Sequence, residues 1–138
     1  MKFDCWTQAA DFSIKEHHQQ SLENSLALFN TCNWETMIEF EWELVEKKVE
    51  YAPPGFGIIH PEGHYLHLCP DPAKNSCWIC YEPRLERKLW GFIPWFDPRY
   101  ESDDLKFTDA PRAIESFCGP DPHGRFLDFL YATGVIDL

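Results

Sequence analysis

Histidines and cysteines concentrate in the middle of the chain, where their types and spacing could hold a zinc ion. The group consists of His60, His64, His67, Cys69, Cys77 and Cys80. Thiolates and imidazoles are the ligands that tetrahedral zinc prefers. However, Cys77 and Cys80 fall in a predicted strand, where an offset of three residues directs the two side chains to opposite faces. We therefore interpret the cysteines as free thiols that pack as small hydrophobic groups, and we predict no metal or other cofactor.

Part of this group offers an alternative, a small zinc- or thiol-dependent enzyme. A nucleophilic cysteine needs a base within hydrogen-bonding reach. The enzyme would use the cluster of His64, His67, Cys69, Cys77 and Cys80. No spacing in the sequence selects one cysteine–histidine pair, so we favour a non-enzymatic protein and assign no catalytic residue.

A second group of residues mixes acids with aromatic side chains, a combination that is typical of a protein interface. It comprises Trp95, Phe96, Asp97, Tyr100, Glu101, Asp103 and Asp104. Aromatic side chains supply much of the binding energy at interfaces, and surrounding carboxylates speed the encounter with a basic partner. The same surface could include Glu39, Glu41 and Glu43. The alternatives are an aromatic set packed in the core and ordinary solvated charge.

Helical periodicity is clearest after the first twenty residues. Leu22, Leu26 and Phe29 are spaced at i, i+4 and i+7, with Ser21 as the N-cap, which predicts a helix to about Thr31. The preceding segment 7–20 lacks a continuous apolar stripe and is predicted as helix or loop.

Strict alternation of apolar residues and glutamates predicts a strand over 38–44. Two pairs of short strands follow. Segments 56–59 and 64–69 form a hairpin around 60–63, and segments 76–81 and 88–93 pair around 83–87. Segment 94–108 is predicted as a long functional loop.

Two helices close the chain. Asp109 caps the first, which has Pro111 in its first turn and stops at Gly119; Asp121 opens the second, which ends before Gly134. Strands in the middle and helices at both ends predict a single α+β domain over 1–138. We expect an antiparallel meander of four to five strands, with an N-terminal helix and two C-terminal helices packed on the sheet.

Charge narrows the range of partners. Lys and Arg number 12 and Asp and Glu number 23, which gives a formal net charge of -11. Such a chain repels the phosphates of nucleic acids and the surface of anionic membranes. The N-terminal residues lack the apolar core of a secretory signal, and no run approaches the ~20 apolar residues of a membrane helix. We expect a soluble cytoplasmic protein with reduced thiols and no nucleic-acid or membrane partner.

The aromatic middle and the closing segment also carry a family resemblance. The relevant segments are 65–69, 77–81 and 89–95, together with Pro111-Arg-Ala-Ile114 through Phe126-Leu-Asp-Phe129-Leu130. With its size and acidity, the chain resembles the immunity proteins of bacterial contact-dependent inhibition and other polymorphic toxin systems. The resemblance implies a stoichiometric inhibitor that covers the active surface of a cognate basic toxin, often a nuclease. A structural subunit of a larger assembly is the other non-enzymatic alternative.

Overall fold

The computed structural model describes residues 1–83, 87–89, 93–95 and 99–136. Strands and helices in these ranges are numbered in chain order. The strands are β1 (Phe3–Gln8), β2 (Ile14–Gln20), β3 (Gly55–Ile59), β4 (Tyr65–Asp71), β5 (Ser76–Glu82), β6 (Arg87–Leu89), β7 (Ile93–Trp95) and β8 (Tyr100–Leu105). The helices are α1 (Leu22–Thr31), α2 (Trp34–Glu46), α3 (Ala110–Phe117) and α4 (Pro122–Ala132).

Six of the strands form one antiparallel sheet in the order β2-β1-β3-β4-β5-β8, and β6 pairs with β7 in a separate ribbon. The α+β class and the antiparallel sheet are therefore confirmed. The predicted count of four to five strands is too low, since the sheet gains a hairpin at the N-terminus and a strand at its far edge.

The N-terminal hairpin of β1 and β2 replaces the helix or loop predicted for 7–20. On β1, Phe3 and Cys5 are buried, but β2 pairs with β1 alone and exposes most of its side chains to solvent. A strand at a sheet edge needs no apolar face. The polar sequence of β2 accordingly shows no alternation of apolar and polar residues. This is why the sequence pattern does not reveal it.

The strand predicted over 38–44 is wrong, because the segment lies within helix α2. The helix begins at an N-cap outside the alternating window, where Asn33 Oδ1 accepts a hydrogen bond of 3.1 Å from Thr36 N–H. The inward-facing residues follow helical spacing. They are buried Trp34 and, at i+4, i+7 and i+11 from it, half-buried Ile38, Glu41 and Val45. Glutamate also favours helix over strand.

Two further predictions in the second half of the chain are corrected. The loop predicted over 94–108 contains β8, which pairs with β5 and completes the sheet. The strand predicted over 88–93 was expected to pair with 76–81, but its described ends belong to β6 and β7, which pair with each other; residues 90–92 lie outside the described residues.

Helices α1, α3 and α4 cover one face of the sheet, which we call the inner face. Phe29 of α1 meets Phe56 of β3 edge to face at 5.6 Å, and Phe126 of α4 meets Tyr81 of β5 at 4.7 Å. The three helices were predicted at these positions, and the Ser21 cap is present, with Asn24 N–H donating to Ser21 Oγ over 3.1 Å. Asp109 makes no side-chain cap on α3, contrary to prediction.

Helix α2 lies at one end of the sheet, where it contacts β4 and the 3-10 turn at Pro72–Lys74. Trp34, at its start, joins the core beside Phe29. The rest of the helix reaches the opposite, outer face of the sheet. None of the described helices is both long and apolar enough to cross a bilayer.

Candidate functional site

Helix α2 and the outer face of the sheet enclose a groove of about 690 Å³, which we call the α2 groove. Segment 52–54 adds to its wall and is tied to the N-terminal hairpin by a 2.9 Å hydrogen bond from Ala52 N–H to Ala10 O. The charged, aromatic and thiol-bearing side chains that line the groove are Glu41 and Trp42 of α2, His67, Cys69 and Asp71 of β4, Lys74, Trp78 of β5 and Asp103 of β8.

His67 and Trp78 supply the aromatic rings of the groove floor, and strand register sets the neighbours of His67. Trp6, Gly57, His67 and Cys80 are successive cross-strand partners on β1, β3, β4 and β5. The His67 ring lies edge to face between two indoles, with centroids 4.9 Å from Trp6 and 5.2 Å from Trp78. Such contacts fix ring orientations in addition to burying area. The floor is therefore a preformed aromatic surface.

Cys69 and His67 form the closest thiol–imidazole pair of the groove, with Sγ and Nε2 3.5 Å apart. Burial raises the pKa of the Cys69 thiol to about 12, and the nearby Glu41 carboxylate adds to the effect. Burial also lowers the pKa of His67 to about 4, with a further contribution from the Arg99 charge. Both groups are therefore neutral at pH 7, which is the opposite of the thiolate–imidazolium pair of an activated cysteine nucleophile.

Acidic groups dominate the charge of the groove. Glu41, Asp71 and Asp103 contribute three carboxylates, and among the described lining residues Lys74 is the one cation. Burial raises the pKa of Glu41, and the charge of Asp71 raises it further. None of the three carboxylates is in an ion pair with another residue that the structure describes. The groove thus presents a net negative charge beside aromatic surface.

A salt-bridge cluster stands beside the floor. Arg99 Nε donates to Cys80 Sγ over 3.0 Å, while the guanidinium also pairs with Glu82 at 3.4 Å and with Glu101. Burial nevertheless leaves the pKa of Cys80 raised, although the hydrogen bond from Arg99 lowers it. Because Glu101 is already paired here, it offers less free charge to a partner than Asp103 does.

The predicted partner-binding residues divide into separate groups. Glu41 and Asp103 are brought together at the α2 groove. Glu39 and Glu43 are exposed elsewhere on α2, since residues two apart on a helix do not share a face. The structure therefore does not support the single acidic face expected for Glu39, Glu41 and Glu43.

The remaining predicted residues lie on or near β8. Tyr100 stacks on Tyr81 with centroids 6.0 Å apart, and Asp104 is exposed. Trp95 is the last residue of β7, and Phe96 and Asp97 lie outside the described residues.

The residues of the zinc or thiol alternative are also dispersed. Cys77 belongs to the core cluster, whereas Cys80 contacts Arg99 on the outer face, so the prediction of opposite faces for this pair is confirmed. His64 is buried and lies 3.3 Å from Glu62. Across the described ranges, no three His, Cys, Asp or Glu side chains are placed to hold one metal ion.

Sequence reasoning missed several residues that line the groove, namely Trp42, Asp71, Lys74 and Trp78, and it also missed Trp6, which contacts the groove residue His67. Part of the signal was present, because Tyr65, His67 and Cys69 alternate along β4 and must share a face. The approach of α2 to that face could not be found once its sequence was interpreted as a strand.

The chain was compared with family models, with curated proteins and with solved structures, and none of the three comparisons finds a match.

Proposed function

We propose that this protein is a non-enzymatic binding protein that holds a basic protein partner at the α2 groove. The observation that carries the proposal is the meeting of Glu41 and Asp103, two acids from distant parts of the chain, with Asp71 around one aromatic groove. Their charges have no cationic partner among the described residues. A cation from another protein would supply one.

The net charge and the groove would act at different stages of binding. A formal charge of -11 raises the rate of encounter with a basic protein, and this effect weakens as salt screens the field. Once the partner is seated, aromatic surface excludes water and slows dissociation. Trp42 is 60% exposed and is therefore available for such contact.

The state of the thiol–imidazole pair favours binding over thiol catalysis. A cysteine nucleophile would require Cys69 as thiolate at neutral pH, and burial works against that charge. The neutral Cys69 and His67 fit better as part of the packed floor of the groove.

The class of partner is taken from the resemblance to immunity proteins. We propose that the partner is a toxin whose active surface is basic, in the manner of a nuclease that must attract an anionic substrate. An acidic protein that covers this surface would neutralise the toxin one to one. In that role the protein would act in the cytoplasm, where the toxin would meet its target.

Affinity capture followed by an inhibition assay tests this proposal. The tagged protein is used to capture partners from a lysate of the cells that encode it, and the captured protein is then produced alone. We expect a basic protein that arrests growth when expressed, and whose effect is suppressed by the wild-type chain.

A matched pair of double variants locates the site. E41Q/D103N removes two groove carboxylates, whereas E39Q/D104N removes two exposed acids outside the groove. Suppression of the toxin should fail with the first variant and persist with the second. A captured protein that is acidic, or that is not inhibited by the wild-type chain, overturns the proposal.

A further inference from the structure

We infer that the α2 groove receives a single arginine side chain of the partner, presented on an extended segment. This inference rests on the proposed function and specifies which group of the basic partner enters the site. It is carried by the size of the groove, its aromatic walls and the placement of its carboxylates.

The size of the groove suits one side chain better than a whole element of secondary structure. Its volume of about 690 Å³ lies within the range of roughly 300–1,000 Å³ that is usual for pockets that hold one small ligand. An α-helix is about 10–12 Å across with its side chains, so three turns of helix would exceed this volume. One long side chain with its flanking backbone is the occupant of appropriate size.

The aromatic side chains that line the groove favour a flat cation. Trp42 of α2 and Trp78 of β5 contribute indoles to the groove, and Trp78 is held perpendicular to His67 with an interplanar angle of 87°. Guanidinium groups pack on indole faces more often than ammonium groups do, because the planar group combines stacking with cation–π attraction.

The carboxylates complete the argument. Glu41 of α2 and Asp103 of β8 both line the groove, and Asp71 lies close enough to Glu41 to raise its pKa. A guanidinium can bind carboxylates through paired hydrogen bonds, and it loses less hydration free energy than an ammonium on entering a half-buried site. Lys74, at the same groove, disfavours a second cation.

Three blocked tripeptides test the inference directly. They share the form acetyl-Gly-X-Gly-amide, with arginine, lysine or citrulline as X; citrulline has nearly the shape of arginine but no charge. Binding is followed through the NMR signals of the indole N–H groups of Trp42 and Trp78, at peptide concentrations up to about 10 mM, because a single side chain binds weakly.

We expect saturable shifts with the arginine peptide, binding at least about fivefold weaker with lysine, and no saturation with citrulline. Glu41→Gln should weaken the arginine peptide at least about fivefold, while Glu39→Gln should leave it unchanged. Equal binding of lysine or citrulline, or no shift with arginine, overturns the inference. Free arginine that binds tighter than the peptide would also overturn it, since the occupant would then be a small molecule.

Failure here is distinguishable from failure of the proposed function. If the peptides show no preference for arginine but E41Q/D103N still abolishes suppression of the captured toxin, the groove binds the partner through other groups. If that variant suppresses the toxin normally, the groove is not the site of the partner at all.

Discussion

The indole of Trp6 lies over Gly57, its partner across the pairing of β1 with β3, and occupies the space that a side chain would fill. A Cβ atom added at Gly57 would overlap the indole ring. Glycine is therefore required here for space. Because Trp6 also contacts His67 from this position, the close approach of Trp6 and Gly57 supports one of the rings that line the groove.

Replacement of Gly57 by alanine should destabilise the protein. The added methyl group must displace the Trp6 indole, and overpacking of this kind costs about 1–3 kcal/mol in free energy of unfolding. Urea denaturation measures the loss. Gly119→Ala is the control, because a Cβ there would meet its nearest atoms at 3.5 and 3.6 Å, an ordinary contact. Equal stability of the two variants would contradict this account of the floor.

Acid should weaken the fold through His67. Burial lowers its folded-state pKa to about 4, so the unfolded chain binds the proton more readily. The contribution of His67 to stability is therefore complete above about pH 6.5 and is lost as the pH falls from 6.5 towards 4. Because the ring is only half-buried, we expect a loss of about 1–2 kcal/mol.

The measurement compares wild-type and His67→Gln protein by chemical denaturation across this pH range. The difference in unfolding free energy between the two should shrink as the pH falls. Burial also lowers the pKa of His60, so both proteins keep the part of the acid sensitivity that comes from His60. Parallel pH profiles for wild type and His67→Gln would show that burial of His67 does not have this effect.

The buried thiols should react slowly while the protein is folded. Burial raises the pKa values of Cys69 and Cys118 to about 12, which leaves roughly a thousandfold less thiolate at pH 8 than an ordinary cysteine provides. Iodoacetamide labelling followed by mass spectrometry, with and without denaturant, measures each site. Rapid labelling of Cys69 in the folded protein would revive the thiol-enzyme alternative.

Removal of a helix cap should have a local and measurable effect on stability. Ser21 Oγ accepts the Asn24 N–H at the start of α1, so Ser21→Ala should cost about 1 kcal/mol. Asp109 precedes α3 but makes no side-chain cap, and its ion pair among the described residues is with exposed Arg112 at 3.3 Å, so Asp109→Ala should cost clearly less. Thermal denaturation of the two variants checks the difference, and a larger effect at Asp109 would contradict the assignment of the caps.

The fold could be predicted from sequence where local patterns agree with their surroundings. Helices α1, α3 and α4 have a single apolar face each, and β3, β4 and β5 are apolar strands separated by turns. Segment 38–44 of α2 could not be assigned in this way, because its pattern of apolar residues is compatible with both a strand and a helix. The decisive residues, Asn33 and Trp34, lie just before that window.

The site was harder to predict than the fold because it depends on contacts between distant segments. Glu41 and Asp103 were both identified as acids available to a partner, but nothing local connects them. Their proximity follows from the position of β8 at the sheet edge and of α2 beside β4. Edge strands such as β2 and β8 carry weak patterns, so the sequence did not reveal this arrangement.

Association kinetics of the charge-matched variants test the central claim most directly. E41Q/D103N and E39Q/D104N each remove two negative charges from the formal net charge of -11, and they differ in whether those charges line the groove. Binding to the captured partner is measured by stopped flow at low and high salt. We predict that the two variants slow association to a similar, small extent, and that E41Q/D103N alone speeds dissociation, which weakens its affinity about tenfold or more. Equal behaviour of the two variants would contradict the claim that the α2 groove binds the partner.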